Sequence, residues 1–302
     1  MKFSSFGPLA VVGAALLWSL DGVLRQSVYS LPPMTVVFFE HLFGAVILGL
    51  LILPNWTHLK SFTKSQWCAL LGVSLLSGVL GTYCYTAALS KVQYVPFSVV
   101  VLLQQLQPLF AIFTAAILLK EPLSKKFFTL AMVALFAAYA VSFPDLRVNI
   151  NTGSATMLGA GLALLAAVCW GSSTAFSKYA LKNTSWLHTT AVRFGFTAVF
   201  ALIFSFLFSQ TGSFGMISPE QWKTILLITL STGMVALGLY YFGLQRVPAS
   251  RATLLELAWP VSAIFIGYFF LGQTLSITQW IGSAVLVGTM YLVGKDARKI
   301  AG

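Results

Sequence analysis

Charge is scarce in this sequence. Asp, Glu, Lys and Arg together make up 8% of 302 residues, and only seven residues are acidic. Soluble domains carry about a quarter charged residues, so a soluble globular chain is excluded. Cysteine is also sparse. Cys68, Cys84 and Cys169 lie in apolar runs without CxxC spacing or paired histidines, which excludes a disulfide framework and a zinc site and leaves the compartment open. No HExxH, GxSxG, Walker-type phosphate loop or cluster of His and Asp occurs, so an embedded enzyme and an ATP-driven pump both lack their reactive residues. A filter-like stretch and a ring of repeated charge are missing as well, which argues against a channel. The N-terminal apolar run continues to about Leu24, with Trp18 and Asp21 inside it and no small-residue cleavage pattern, and reads as a retained span rather than a signal peptide.

Hydrophobic residues are what the chain has in abundance, at 58%, with 14% aromatic. At about 20 residues per crossing, the pattern predicts an all-α integral membrane protein with ten transmembrane helices near 7–25, 32–53, 67–89, 96–119, 126–143, 157–179, 186–208, 222–243, 250–271 and 277–294. Punctuation such as LPP at 31–33, LPNW at 53–56 and TGSFGMISPE at 211–220 separates them. The formal charge of +11 would suggest nucleic acid in a soluble protein, but here the basic residues sit between apolar runs. One set of loops holds Lys2, Lys60, Lys64, Lys120, Lys125, Lys126, Lys178, Lys182, Arg246, Lys295, Arg298 and Lys299; the other holds Arg25, Lys91, Arg147 and Lys223. This bias predicts both termini in the cytoplasm of a cell-membrane protein and no nucleic-acid partner.

An internal repeat organises the chain. A shift of 152 residues lays Trp18 on Trp170, Pro108 on Pro260, and LKEPLSKKFFTLAMVALFAAYAV (119–141) on LGQTLSITQWIGSAVLVGTMYLV (271–293). A shift of 155 lays LSKV at 89–92 on LQRV at 244–247. Each unit holds five spans, so the second copy enters from the opposite side: two inverted five-helix repeats, 1–148 and 152–302, the plan by which many secondary carriers build one midplane site and two gates. The same shift pairs LLQQLQP (102–108) with LLELAWP (254–260), setting Gln104 and Glu256 each four residues before a proline. Proline lacks an N–H, so each copy is expected to free a backbone carbonyl beside a polar side chain. Such groups cost several kcal/mol against lipid and need protein partners, water or a ligand. Helix bending and packing alone is the competing explanation.

Ten spans, the five-plus-five repeat, the polar-xxx-Pro signal in the fourth and ninth spans and the LKEPLS and LGQTLS segments that follow resemble the drug/metabolite transporter superfamily in its EamA branch. The resemblance covers essentially the whole chain. It implies a secondary carrier of the bacterial cytoplasmic membrane whose cavity is lined by spans one, three, four, six, eight and nine, with spans two and seven peripheral. Many such carriers export amino acids and related metabolites. A GE-type glutamate commonly follows these signals; Glu121 retains it and Gln273 replaces it, which points Glu121 to a capping or loop-bracing role.

Glu256 and Gln104, with Trp18, Tyr85, Trp170, Tyr240 and Trp259, are therefore the candidate substrate-binding residues. Trp18 and Trp170 are repeat equivalents, as are Tyr85 and Tyr240 at the shift of 155. Rings beside a carboxylate hold a cation or a flat aromatic body; core packing is the alternative for each. Asp21 and Arg25, four apart on one helix face, read first as a local ion pair and second as a gate. Glu256 is the candidate proton-exchanging group, or else a fixed counter-charge to the substrate. Glu40 and Arg193, related by a shift of 153, are expected to pair as a structural bridge, and His41 is given no role beyond a hydrogen bond. Arg251 is the one basic residue expected near the cavity. The function expected is export of a small zwitterion or cation such as an amino acid by alternating access. Uptake or exchange of a nucleoside-, vitamin- or drug-like organic cation is the alternative. The partners expected are that solute, the bilayer and protons; the protein is read as a monomer or weak dimer that needs no cofactor, and it is not an enzyme.

Overall fold

The computed structural model describes residues 6–89, 103–104, 106–147, 154–271 and 274–301. Lys2, Lys91, Gln273 and the start of the fourth expected span lie outside them. Among the described residues the fold is helical without strands. Helices α1 (Gly7–Trp18) and α2 (Asp21–Arg25) are followed by α3 (Pro33–Ile52), α4 (Lys64–Val73), α5 (Thr82–Leu89), α6 (Gln107–Leu118) and α7 (Lys125–Ser142). Then come α8 (Ser154–Ala180), α9 (Trp186–Leu207), α10 (Pro219–Ile228), α11 (Met234–Leu244), α12 (Ala249–Leu255), α13 (Ala258–Leu271) and α14 (Ile277–Ala301).

Eight helical stretches among these residues are long and apolar enough to cross a membrane: Gly7–Arg25, Pro33–Ser61, Lys64–Ala88, Lys125–Ser142, Leu158–Ala180, Trp186–Leu207, Pro219–Leu244 and Ile277–Asp296. Of the fourth expected span only residues 103–104 and those from 106 onward are described, and the ninth is divided into two shorter helices. Pro108 sits in the first turn of α6, and the chain breaks at Glu256–Leu257 between α12 and α13, just before Pro260. One detail differs from expectation: the Glu256 carbonyl is not orphaned, because it accepts the Trp259 N–H at 2.9 Å.

Local signals recur at the repeat spacing. Thr63 and Gln66 form a capping box at the start of α4, and Ser218 and Gln221 form one 155 residues later at α10. Each of these helices then passes through a π-helical turn, Ser74–Gly81 and Thr229–Gly233, before continuing as α5 or α11. Such turns are rare and are frequently found at functional sites.

Packing is exchanged between halves. Helix α3 packs on α9, α7 on α14, α1 on α11 and α13, and α8 on α5 and α6. These contacts are built from small side chains, as membrane helices require where lipid offers no hydrophobic drive for association. At Gly171 a Cβ would fall 2.5 Å from the Gln107 carbonyl oxygen, so only glycine lets α8 approach α6 this closely. The outward faces are apolar: Leu9, Leu50, Phe113, Met132, Phe136 and Phe206 are each about two-thirds exposed. Apolar surface of that extent belongs against lipid.

The connecting segments gather at two ends. At one, His188 meets the Asn55 carbonyl, Gln66 donates to Lys182 O, Lys178 Nζ donates to Leu244 O, and Arg251 pairs with Asp296. Glu121 belongs here too. Its carboxylate accepts the Ala249 and Ser250 N–H groups and the Ser250 hydroxyl, capping α12 as a loop brace. At the other end Ser30 meets Gln221, Thr35 meets Ser213, and Asp145 N donates to Thr278 Oγ1.

Candidate functional site

A cavity of about 230 Å³ lies between the halves. At roughly 10–15 Å³ per water, it takes an organic solute rather than a bare ion. All nine candidate side chains line it: Trp18, Asp21, Arg25, Tyr85, Gln104, Trp170, Tyr240, Glu256 and Trp259.

The breaks before Pro108 and Pro260 determine how the amides and the carboxylate are presented. Glu256 caps the C-terminus of α12, and its Oε2 accepts from Gln107 Nε2 at 3.2 Å. Its Oε1 is buried, and no group other than Tyr240 is placed to donate to it among the described residues. Tyr240 lies beside this carboxyl, although its hydroxyl donates to Thr174 Oγ1 at 3.5 Å. Gln104 reaches the cavity wall but spends its amide on the Ala163 carbonyl of α8, at 2.7 Å. Gln107, which the sequence reading passed over, is thus the amide that meets Glu256. It was visible three residues along in the same LLQQLQP phrase.

Two aromatic pairs, each built from both halves, line the cavity. Trp18 packs on Tyr240 with centroids 5.2 Å apart and planes at 56°, and Trp170 packs on Tyr85 at 5.1 Å and 54°. The two pairs are repeat images, each joining one half to the other. Trp170 Nε1 is anchored to the Ser77 carbonyl, while Trp259 lines the cavity beside the Pro260 break.

Three expectations are corrected. Glu40 and Arg193 do not pair: Arg25 Nη2 donates to Glu40 at 2.8 Å, and Arg193 donates to the Tyr241 hydroxyl at 2.8 Å and Ser77 Oγ at 2.7 Å. The reason is that Arg25, at the end of α2, occupies the Glu40 carboxylate. Spans two and seven are not peripheral, because Glu40, His41, Arg193 and Phe194 all line the cavity. His41 nonetheless spends its Nδ1 on the Val37 carbonyl at 2.9 Å. Finally, Arg251 is not the cavity's basic residue. It is buried against Asp296, the Pro122 carbonyl and the Phe127 ring, and the cavity's guanidiniums are Arg25 and Arg193.

The Asp21–Arg25 pair extends into a cluster. Arg25 Nε donates to Asp21 at 2.5 Å, and Asp21 Oδ1 accepts from Thr232 Oγ1 at 2.6 Å. Thr229 Oγ1 donates to the Glu40 backbone carbonyl, and Gly233 packs against the Glu40 side chain. The π turn between α10 and α11 therefore grips α3 at Glu40. Its counterpart between α4 and α5 grips α9, where Ser74 Oγ donates to the Arg193 carbonyl.

The EamA-like transporter model matches twice, over residues 5–143 and 157–295. The chain belongs to the EamA-like transporter family. It is thereby a member of the drug/metabolite transporter superfamily, and the duplication seen in the sequence is the duplication of the EamA domain. Among EamA relatives, the riboflavin transporter ImpX of Fusobacterium nucleatum is 35% identical over 284 residues, covering 93% of this chain and 94% of that protein. The uncharacterized transporter YoaV of Bacillus subtilis is 24% identical, covering 92% and 93%. A crystal structure 20% identical in sequence matches 98% of each chain with a TM-score of 0.75, which shows the shared fold.

Proposed function

We propose that this multi-pass membrane transporter is a secondary carrier of the bacterial cytoplasmic membrane that moves a planar, vitamin-like heterocycle by alternating access. The observation that carries the substrate reading is the pair of Trp–Tyr walls, Trp18–Tyr240 and Trp170–Tyr85. Two ring pairs lining one cavity suit a flat solute, each aromatic contact contributing roughly 0.5–1.5 kcal/mol beyond area burial. Glu256, Gln107 and Gln104 offer polar groups suited to the N–H and C=O edge of such a ring. Riboflavin, the solute named for the 35% identical relative, has this chemistry. Amino acid export draws no comparable support, and Arg25 and Arg193 in the cavity offer donors to a solute that carries acceptor groups.

In this reading residues 1–148 and 152–302 are inverted repeats making ten passages. Support comes from α3 packing on α9, α7 on α14, and α1 and α8 taking equivalent partners from the opposite half. Lys60, Lys64, Lys120, Lys182 and Arg246 cluster with the end we assign to the cytoplasm, where both termini then lie. The Asp21–Arg25–Glu40 cluster is assigned to the outer gate. Glu256 is assigned to proton coupling and to the polar edge of the solute. In a background with Cys68, Cys84 and Cys169 replaced by Ser, Lys60→Cys and Lys182→Cys are expected to resist an impermeant thiol reagent added to intact cells. Labelling of either from outside would overturn the orientation.

The substrate reading is tested with radiolabelled riboflavin and proteoliposomes. The expected result is saturable uptake with counterflow when the lumen is preloaded. No saturable riboflavin flux and no riboflavin binding would sink the substrate, and flux linear in concentration would indicate a pore.

A further inference from the structure

The repeat places Glu40 and Arg193 at equivalent positions of α3 and α9, each held through its backbone carbonyl by the π turn of the other half's third helix. The side chains around them are not equivalent. Glu40 has a counter-charge, Arg25, on the first span. The residue 152 positions after Arg25 is Ser177, whose hydroxyl meets Tyr241 rather than supplying a charge. Arg193 is left with neutral partners: its two Nη atoms donate to the Tyr241 hydroxyl and Ser77 Oγ, and its Nε is buried with no hydrogen-bond partner among the described residues. Its guanidinium also lies 5.4 Å from the Tyr241 ring centroid.

Arg193 is 8% exposed and lines the cavity, and its neighbour Ser77 lines it too. A guanidinium carries five N–H donors in a planar fork shaped for oxygen acceptors. Buried in a membrane protein with two hydroxyls and the Tyr241 ring for company, it lacks, among the described residues, the carboxylate that such charges ordinarily find. The nearest acidic candidate, Glu40, is committed to Arg25.

We infer that Arg193 and Ser77 form an acceptor-binding subsite that holds an oxygen of the transported molecule, either a ring carbonyl or an anionic oxygen. This rests on the planar-substrate reading only for the ring that bears the oxygen. It deepens that reading by dividing the solute's polar groups between two partners: an oxygen lies toward Arg193, and an N–H toward Glu256.

The test measures equilibrium binding to purified protein with riboflavin, its 5′-phosphate ester, and phenazine as a tricycle without oxygen acceptors. Wild-type protein is expected to bind riboflavin at least about tenfold tighter than phenazine, an arm that needs no variant to fold. Arg193→Gln is expected to weaken riboflavin binding by at least about tenfold while leaving phenazine within roughly twofold. Arg193→Lys, which keeps charge but not the fork, should fall between and stands in should the Gln variant not fold. Equal losses for riboflavin and its phosphate ester identify the ring carbonyl as the bound oxygen, and a larger loss for the ester identifies the anion. If neither flavin binds, the flavin reading fails by itself, and the subsite is tested with phenazine-1-carboxylate against phenazine. Wild-type protein that does not distinguish oxygen-bearing from oxygen-free rings overturns the subsite, as does unchanged binding of the oxygen-bearing ring by either Arg193 variant.

Discussion

Glu256→Gln is expected to reduce saturable flux roughly ten- to a hundredfold at equal protein content and to flatten its pH profile. The substitution preserves shape and the capacity to accept from Gln107, whose amide lies 3.2 Å from Oε2, so what it removes is the charge and the exchangeable proton. A charge-assisted hydrogen bond contributes about 1.5–3 kcal/mol, which converts to that range in affinity. The expectation turns on the carboxyl's place in the cavity wall, where Gln107 meets Oε2 and Tyr240 is the one other protein group beside it among the described residues, which leaves the carboxylate acceptor capacity for a solute. Proteoliposomes carrying the variant, assayed for uptake and efflux at several pH values, decide the matter. Undiminished flux with the wild-type pH profile would remove Glu256 from the mechanism and leave it a structural residue.

The parts of this molecule legible in the sequence are those that repeat or lie close along the chain. Trp18 and Trp170 were found by one shift and Tyr85 and Tyr240 by another, and the structure joins them crosswise into two walls. Asp21 and Arg25 were legible as an i,i+4 pair. The family match over both halves agrees with the duplication read from the shift. What failed concerns which helix meets which. The shift of 153 related Glu40 to Arg193 correctly as positions, but position in a repeat carries no information about side-chain reach, and Arg25 claims Glu40 from the end of the first span. Arg251 looked like a cavity residue because α12 is a cavity helix, yet it stands on the face turned to Asp296 and Phe127. Gln107 differs from Gln104 by three positions, less than one helical turn; only the break before Pro108 decides which amide meets Glu256.

Arg25→Met is expected to be the most destabilising of the cluster substitutions, by about 3–5 kcal/mol, because it strands two carboxylates in the protein interior. Arg25 and Glu40 are each 4% exposed, and no second cation reaches either acid among the described residues. Glu40→Gln should cost less, since Arg25 keeps Asp21 and an amide oxygen still accepts from its Nη2. The combined Asp21→Asn, Arg25→Met, Glu40→Gln variant should regain much of the loss, because a buried ion pair replaced as a unit is often near neutral in stability. Thermal unfolding in detergent checks the ordering, with a fall on the order of 10 °C expected for Arg25→Met alone. Arg25→Met protein as stable as wild type would mean that water or lipid headgroups, and not Arg25, compensate these acids. The neutral triple variant also separates stability from gating. If it folds and binds solute but transports slowly, the charges act in switching between the two open states. Fold alone cannot then explain them, because the cluster ties the first span, the second span and the π turn of the eighth together at the end assigned to the outside.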